Sequence, residues 1–316
     1  MISDGIAFSF DWEVTLMAWL QEHIPSWGIS VLSFFSLFGE ELLTILILGF
    51  LYWSYNKRVG KMVGLSVLAG MVWCPMIKNV VLRRRPYFDH EEIGILRVVE
   101  PDADIYDITA QGYSFPSGHS ANASSLYGII AASMKKRWMT VLAVVLPLLV
   151  GISRVTVGAH YPTDVLAGWL IGVVSMLLVV ALQQRIKSTT ILYGMLLITA
   201  IPGFFYCKSA DYFTGVGLLI GVMGGNLLEE KTVRYENTRN PIRMILRPIG
   251  GAAVYFALNS ALKAPFPAEF LDSGTMGALL VRCVRYAVIG FVDFGVYPML
   301  FRLTANAGGK KDKQSV

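Results

Sequence analysis

The sequence predicts an all-helical bundle that crosses a membrane several times, and three observations predict it. Hydrophobic residues make up 54% of the 316 and charged residues only 16%, against about 25% charged in an ordinary soluble domain. Mean hydropathy is +0.55. Apolar stretches recur at close to the ~20 residues that a helix needs to cross a hydrocarbon core. A soluble helical protein with a very large core is the alternative, and it fails on the number of such stretches. The net charge of +5 follows from basic clusters at membrane edges, and nucleic acid is not an expected partner. Cys74, Cys207 and Cys283 are odd in number and lack metal-type spacing, so they form no framework.

The elements follow in order. Residues 1–13 hold Asp4, Asp11 and Glu13 and no basic residue, so they lack the positive start of a cleavable signal peptide. Trp12, Trp19 and Trp27 suit the headgroup layer and place an interfacial helix at about 12–23. A first span over about 32–55 ends in Tyr52, Trp53 and Tyr55, with Lys57, Arg58 and Lys61 at once after it. A second span covers about 62–82, and residues 83–115 form the longest polar loop, with acids from Asp89 to Asp107. A third span opens at Pro116 and stops before Lys135-Lys136-Arg137. Spans follow at about 138–157, 163–183, 189–206, 212–228, 244–262 and 274–303, nine in all.

Basic residues set the orientation. Every odd-numbered span ends in a cluster of them, at 57–61, 135–137, 185–187, 231–247 and 302–313. Short cytoplasmic loops carry such an excess, so the N-terminus and the loop 83–115 lie outside the cytoplasm. Arg83, Arg84 and Arg85 oppose that rule, which a functional site would explain. The expected organisation is a core over 1–188, then further transmembrane helices and a basic cytoplasmic tail over 189–316.

Three polar clusters carry the chemistry. In the first, Lys78 is followed by six residues and then Arg85-Pro86. Seven residues apart, Lys78 and Arg85 share a face if the helix continues to Pro86, which would end it. An arginine fork and a mobile ammonium can grip different oxygens of one phosphate; alone, they could equally snorkel to the interface. In the second, Pro116-Ser117-Gly118-His119 opens a helix, placing free backbone N–H groups where an anion can sit. Ser117 also suits a plain N-cap. In the third, Ser153-Arg154 is followed by five residues, His160, three residues and Asp164. Asp164 can fix the tautomer of His160 and leave the other ring nitrogen free to attack. A helix-capping Asp beside an interfacial His is the plainer alternative. No cluster has metal-site ligand spacing.

With these residues in view, the chain resembles the type-2 phosphatidic acid phosphatase superfamily, the lipid phosphate phosphatases. All three of that family's signatures match at every defining position, over roughly 62–183. The resemblance implies a helical core and a reaction that needs neither metal nor cofactor. It implies His160 as a nucleophile that forms a phosphohistidine, with Asp164 orienting it. It implies His119 as the acid for the leaving oxygen and then the base for water. Lys78, Arg85 and Arg154 would hold the phosphoryl oxygens, assisted by Ser117 and Gly118. The apolar segments after about 188 depart from six-helix members, and the nine-span layout is similar to glucose-6-phosphatase.

The expected activity is hydrolysis of a lipid phosphomonoester or pyrophosphate at the outer face of a bacterial plasma membrane, or at the lumenal face of the endoplasmic reticulum in a eukaryote. The bilayer and a lipid phosphate are the expected partners, with a homodimer left open. Rival readings are a sugar-phosphate phosphatase, a phosphotransferase, and a transporter or lipid-binding protein with a degenerate site. Arg282, Arg285 and Asp293, inside the last apolar segment, read either as a headgroup site or as structural partners of Glu40, Glu41 or Asn259.

Overall fold

The computed structural model describes residues 5–98 and 103–301. Part of the acidic run between Asp89 and Asp107, the basic cluster at 302–313 and the tail lysines Lys310, Lys311 and Lys313 lie outside the described residues. In chain order the helices are α1 (Asp11–His23), α2 (Ser26–Phe35), α3 (Glu41–Gly49), α4 (Lys57–Val81), α5 (Pro86–Asp89), α6 (Ile108–Gln111) and α7 (Gly118–Met134). They continue with α8 (Arg137–Thr156), α9 (Pro162–Arg185), α10 (Thr189–Ala200), α11 (Ala210–Leu228), α12 (Pro241–Lys263), α13 (Ala268–Leu271) and α14 (Met276–Phe291). Single tighter or wider turns extend α2, α3, α10, α11 and α14.

Local chemistry explains the helix starts. Ser117, Ser188, Asn240 and Thr275 each accept a first-turn backbone N–H through the side chain, which satisfies a donor with no partner inside the helix. Pro162, Pro86 and Pro241 open α9, α5 and α12, where the missing N–H costs nothing. Trp12, Trp19 and Trp27 are exposed on or just after α1, as a headgroup helix requires.

The nine-span count is not confirmed. Among the described residues, five helices are long and apolar enough to cross a membrane: Lys57–Val81, Arg137–Thr156, Pro162–Arg185, Ala210–Val233 and Pro241–Lys263. The broken helix Ser26–Gly39 plus Glu41–Tyr55 makes a sixth if its two pieces count as one span. The segment expected to span from Pro116 forms the 17-residue α7, shorter than those five and lined with buried serines and alanines. It is a core helix packed among its neighbours.

The chain forms two compact units. The first takes the residues up to Thr44, Met62–Gln184 and Pro202–Tyr212, and the second takes Ile45–Lys61, Arg185–Ile201 and the chain from Phe213. In the first, α7 and α9 approach closely through Gly168 and Gly172, where an added Cβ would lie 2.4 Å from Ser117 O and 2.0 Å from Ser124 Oγ. Small residues four apart give just such backbone contact in membranes. Ser66 Oγ and Ser175 Oγ, 2.9 Å apart, tie α4 to α9. A cluster of Val14, Met17, Ile93, Val155, Tyr161 and Val165 fastens α1 against the turn between α8 and α9.

In the second unit the core is aromatic, built from Tyr52, Trp53, Tyr235, Tyr297 and Phe301 with Val233. Lys57 and Lys61 are paired with Glu229 and Glu230, at 2.6 Å and 2.8 Å for the shortest contacts. Arg285 donates to Asn259 Oδ1 at 2.8 Å, and Arg282 reaches Thr214 Oγ1 at 3.4 Å. The pairing with Asn259 favours the structural reading of Arg285. Glu40, another expected partner, instead binds Arg97 within the first unit.

Candidate active site

All eight site residues expected from the sequence lie in the first unit. Lys78 stands in the last turns of α4, which ends at Val81. The expectation that Lys78 and Arg85 share a helical face is therefore corrected. Leu82 adopts a left-handed conformation at φ 55°. The N-terminal segment then pairs with the chain beyond it: Ile6 N–H donates to Leu82 O at 2.8 Å and Arg84 N–H to Ile6 O at 3.1 Å. This pairing pulls residues 82–84 out of the helix four positions before Pro86.

Arg85 then occupies the N-cap position of α5, buried. Its Nε donates to the carbonyls of Gln111 (2.9 Å) and Gly112 (3.0 Å), and its Nη1 donates to that of Ala159 at 2.9 Å. Three carbonyls thus aim the guanidinium beside His160. Arg154, in the last turn of α8, is 2% exposed. Its Nη1 reaches Ser36 Oγ only at a long 3.4 Å, and its Nε has no partner among the described residues.

His160 lies in the turn between α8 and α9 and is 2% exposed. Its Nδ1 is 3.6 Å from Asp164 Oδ2, too far for a hydrogen bond. Ser114 Oγ lies beside both, 3.5 Å from Nδ1, and donates to Asp164 Oδ2 in a short hydrogen bond. Asp164 Oδ2 also accepts from Tyr161 N at 2.8 Å. The Nδ1 edge thus faces the serine and the carboxylate, and Nε2 is the edge turned away from them. Burial, and then the positive charges of Arg85, Arg154 and Lys78, hold the imidazole well below the usual histidine pKa. A neutral imidazole keeps one ring nitrogen unprotonated.

Ser117 is an N-cap in fact. Its Oγ accepts from Ser120 N, and its own N–H donates to Asp164 O at 2.9 Å. The first-turn N–H groups of Gly118 and His119 remain for an anion. A Cβ on Gly118 would meet nothing within 4 Å, so the surface over this helix start is open. His119 lies within electrostatic reach of Arg154, His160, Lys78 and Arg85. Among the described residues, no group of three or more His, Cys, Asp or Glu could hold a metal ion.

Sequence reasoning missed several members of the site. Ser114 sits two residues before the second cluster with nothing to flag it. Ser36 sits in an apolar stretch. Arg83 did carry a signal, a positive charge in a loop expected on the outer side, and the structure buries it against Asp164 and Glu13.

With that geometry in place, comparison with known proteins is direct. The model of the PAP2 superfamily matches residues 60–188, and the model described as the PAP2 superfamily phosphatase, transmembrane extension, matches 213–308. Together they account for more than half of the chain. The chain belongs to the PAP2 superfamily.

The chain is similar to phosphatidylglycerophosphatase B of Bacillus subtilis (strain 168), 42% identical over 84 residues, which are 24% of this chain and 41% of that protein. It is 30% identical over 141 residues to the undecaprenyl-diphosphatase of Sulfolobus acidocaldarius, covering 44% of this chain and 63% of that one. A lipid A 1-phosphatase of Rhizobium etli is 38% identical over 118 residues, 37% of this chain and 47% of the relative. The chain thus spans only about half the length of the relatives it matches. A crystal structure of a transmembrane PAP2 type phosphatidylglycerolphosphate phosphatase from Bacillus subtilis covers 55% of this chain and 86% of its own, at 25% identity and a TM-score of 0.44.

Proposed function

We propose that this PAP2 protein is an integral-membrane phosphatase that hydrolyses a lipid phosphomonoester or pyrophosphate through a phosphohistidine. The observation that carries the reading is the surrounding of His160. Three cations bear on it, while Ser114 and Asp164 hold its Nδ1 edge. Lys78, Arg85 and Arg154, with the N–H groups of Gly118 and His119, receive the phosphoryl oxygens. His160 Nε2 attacks phosphorus, and the bond to the leaving oxygen breaks as His119 gives that oxygen a proton. His119 then takes a proton from water, which attacks the phosphohistidine and releases inorganic phosphate. A phosphate dianion among these cations supplies the negative charge that favours protonated His119. The core over 1–188 performs this reaction, with 189–316 as the membrane extension.

A lipid is the favoured substrate because the site opens at the ends of apolar helices, where a headgroup can enter while its chains stay in the bilayer. The cations already neutralise phosphate, so no metal is required. Purified protein is expected to release phosphate from at least one of phosphatidylglycerol phosphate, undecaprenyl pyrophosphate and phosphatidate, more slowly from glucose 6-phosphate. EDTA should leave the rate unchanged and vanadate should block it. Preference for the sugar phosphate would move the substrate class, transfer to an added alcohol without free phosphate would make it a transferase, and no turnover would favour a binding protein. Loss of activity in EDTA, restored by magnesium, would overturn the metal-free mechanism.

We further propose that the site faces away from the cytoplasm. Helices α4, α7 and α9 each carry site residues at one end and basic residues at the other: Lys57 to Lys78, His119 to Lys135, Asp164 to Arg185. At about 1.5 Å per residue these helices are roughly 25 to 37 Å long, comparable with a bilayer core. Single cysteines replacing Glu92 or Asp104, in a chain lacking Cys74, Cys207 and Cys283, should react with an impermeant maleimide on intact cells. One replacing Lys136 should react only after permeabilisation. The reverse pattern would invert the topology.

A further inference from the structure

Behind Asp164 lies a group of charges that the reaction as described does not use. Arg83 is 1% exposed, and Glu13 and Asp164 are both fully buried. Arg83 Nη1 donates to Asp164 Oδ1 at 2.7 Å, and its Nη2 donates to Glu13 Oε2 at 2.6 Å. Nη1 also reaches Thr163 Oγ1, and Nε reaches Phe8 O, both at 2.7 Å. The rings of Phe8 and Tyr161 cover the guanidinium, with centroids 5.1 Å and 3.8 Å from Cζ. Glu13 is held as firmly: its Oε1 accepts from Thr163 N (3.0 Å) and Thr163 Oγ1 (2.6 Å), and its Oε2 accepts from Phe10 N at 3.0 Å.

We propose that Glu13 and Arg83 are positioning residues for catalysis: they orient Asp164 and keep negative the charge on the Nδ1 side of His160. The inference rests on the phosphohistidine reading above. Asp164 divides its oxygens, Oδ1 to Arg83 and Oδ2 to Ser114 and the His160 edge. Had Arg83 faced Asp164 alone, the two would form a neutral pair and the carboxylate would do little for the imidazole. Glu13 takes the other terminal nitrogen of Arg83, so the three groups together carry one net negative charge. When Nε2 bonds to phosphorus the ring becomes a cation, and Lys78, Arg85 and Arg154 all oppose that charge. The buried triad is what offsets them. Desolvating three ionised groups is costly, and these hydrogen bonds satisfy most of their donors and acceptor oxygens.

A purely structural role, fastening α1 to the core, predicts lost stability without a change in the titration of His160. The groups that bear on that imidazole are Asp164 and Ser114 at its Nδ1 edge, with Lys78, Arg85, Arg154 and His119 within electrostatic reach. Asp89 and His90 reach only as far as Tyr161. The test is steady-state kinetics of full-length protein, using the lipid phosphate that wild type turns over fastest, across pH. Glu13→Gln keeps the shape and removes one negative charge. It should lower kcat about tenfold with KM within about twofold, and move the acid limb of kcat/KM to lower pH by about one unit. Glu13→Asp should leave that limb at the wild-type position, whatever its thermal stability.

If Glu13→Gln cannot be purified, Arg83→Gln gives the opposite sign. The triad then carries two negative charges, and the limb should move to higher pH. Wild-type kcat in Glu13→Gln, or a limb that stays in place in whichever variant is measured, would overturn the inference. Failure of wild type itself to form a phosphohistidine would instead overturn the reading on which it rests.

Discussion

Replacing His160 by alanine is expected to abolish turnover, a fall of roughly 10³-fold or more, with the protein still folded and inserted. Removing a nucleophile from a site that acts as a unit costs at least that much, because the remaining groups have nothing to stabilise in its absence. Folding should survive because the side chain is weakly tied in. Its Nδ1 has only a loose 3.5 Å contact to Ser114, while the backbone N–H to Arg154 O bond at 3.3 Å is independent of the side chain. Ser114 and Tyr161 N still satisfy Asp164 Oδ2 in the variant. Brief exposure to substrate labelled in the phosphoryl group, then quenching, should trap an acid-labile phosphoprotein in wild type and none in His160→Ala. Substantial remaining activity would remove His160 from the role of nucleophile.

Arg154→Gln should separate activity from stability in opposite directions. Phosphate release is expected to fall about 10² to 10³-fold, the usual consequence of deleting one group aimed at transition-state charge. The thermal midpoint of the purified protein should stay level or rise. Arg154 is buried, its Nε has no partner, and its one contact to Ser36 Oγ is 3.4 Å long. A buried cation so poorly satisfied destabilises the fold, as expected of a group reserved for a ligand. Ser36 keeps its 2.7 Å bond to Ser153 without it. A variant that loses stability and activity together would make Arg154 a structural residue. Arg85 offers the contrast, since three carbonyls hold it and its loss should cost both.

Much of this was legible in the residues. Apolar length, with the cap at Ser117, gave most of the long helices to within a few positions, because a helix start is a local matter of which side chain can reach a free N–H. The order Lys78, Arg85, His119, Arg154, His160 and Asp164 marked the site because each residue type has one strong use beside a phosphate. The exception among the local inferences was the reach of α4. Seven-residue spacing suggested that Lys78 and Arg85 lie on one face, yet the helix stops at Val81 because Ile6, some eighty residues away in sequence, pairs with Leu82 and Arg84.

That exception shows where sequence reading ends. From the chain alone came a helical membrane protein, its three clusters and the histidine chemistry they imply, since hydropathy, capping and side-chain type act over a few residues. Only the tertiary structure put Ser114 beside both His160 and Asp164, lined α7 with buried serines and alanines, and showed Arg83 shared between Glu13 and Asp164. These depend on residues up to about 150 positions apart meeting in one buried place, where desolvation makes every unpaired charge costly and so selects the partners. Spacing along a chain carries no record of that selection.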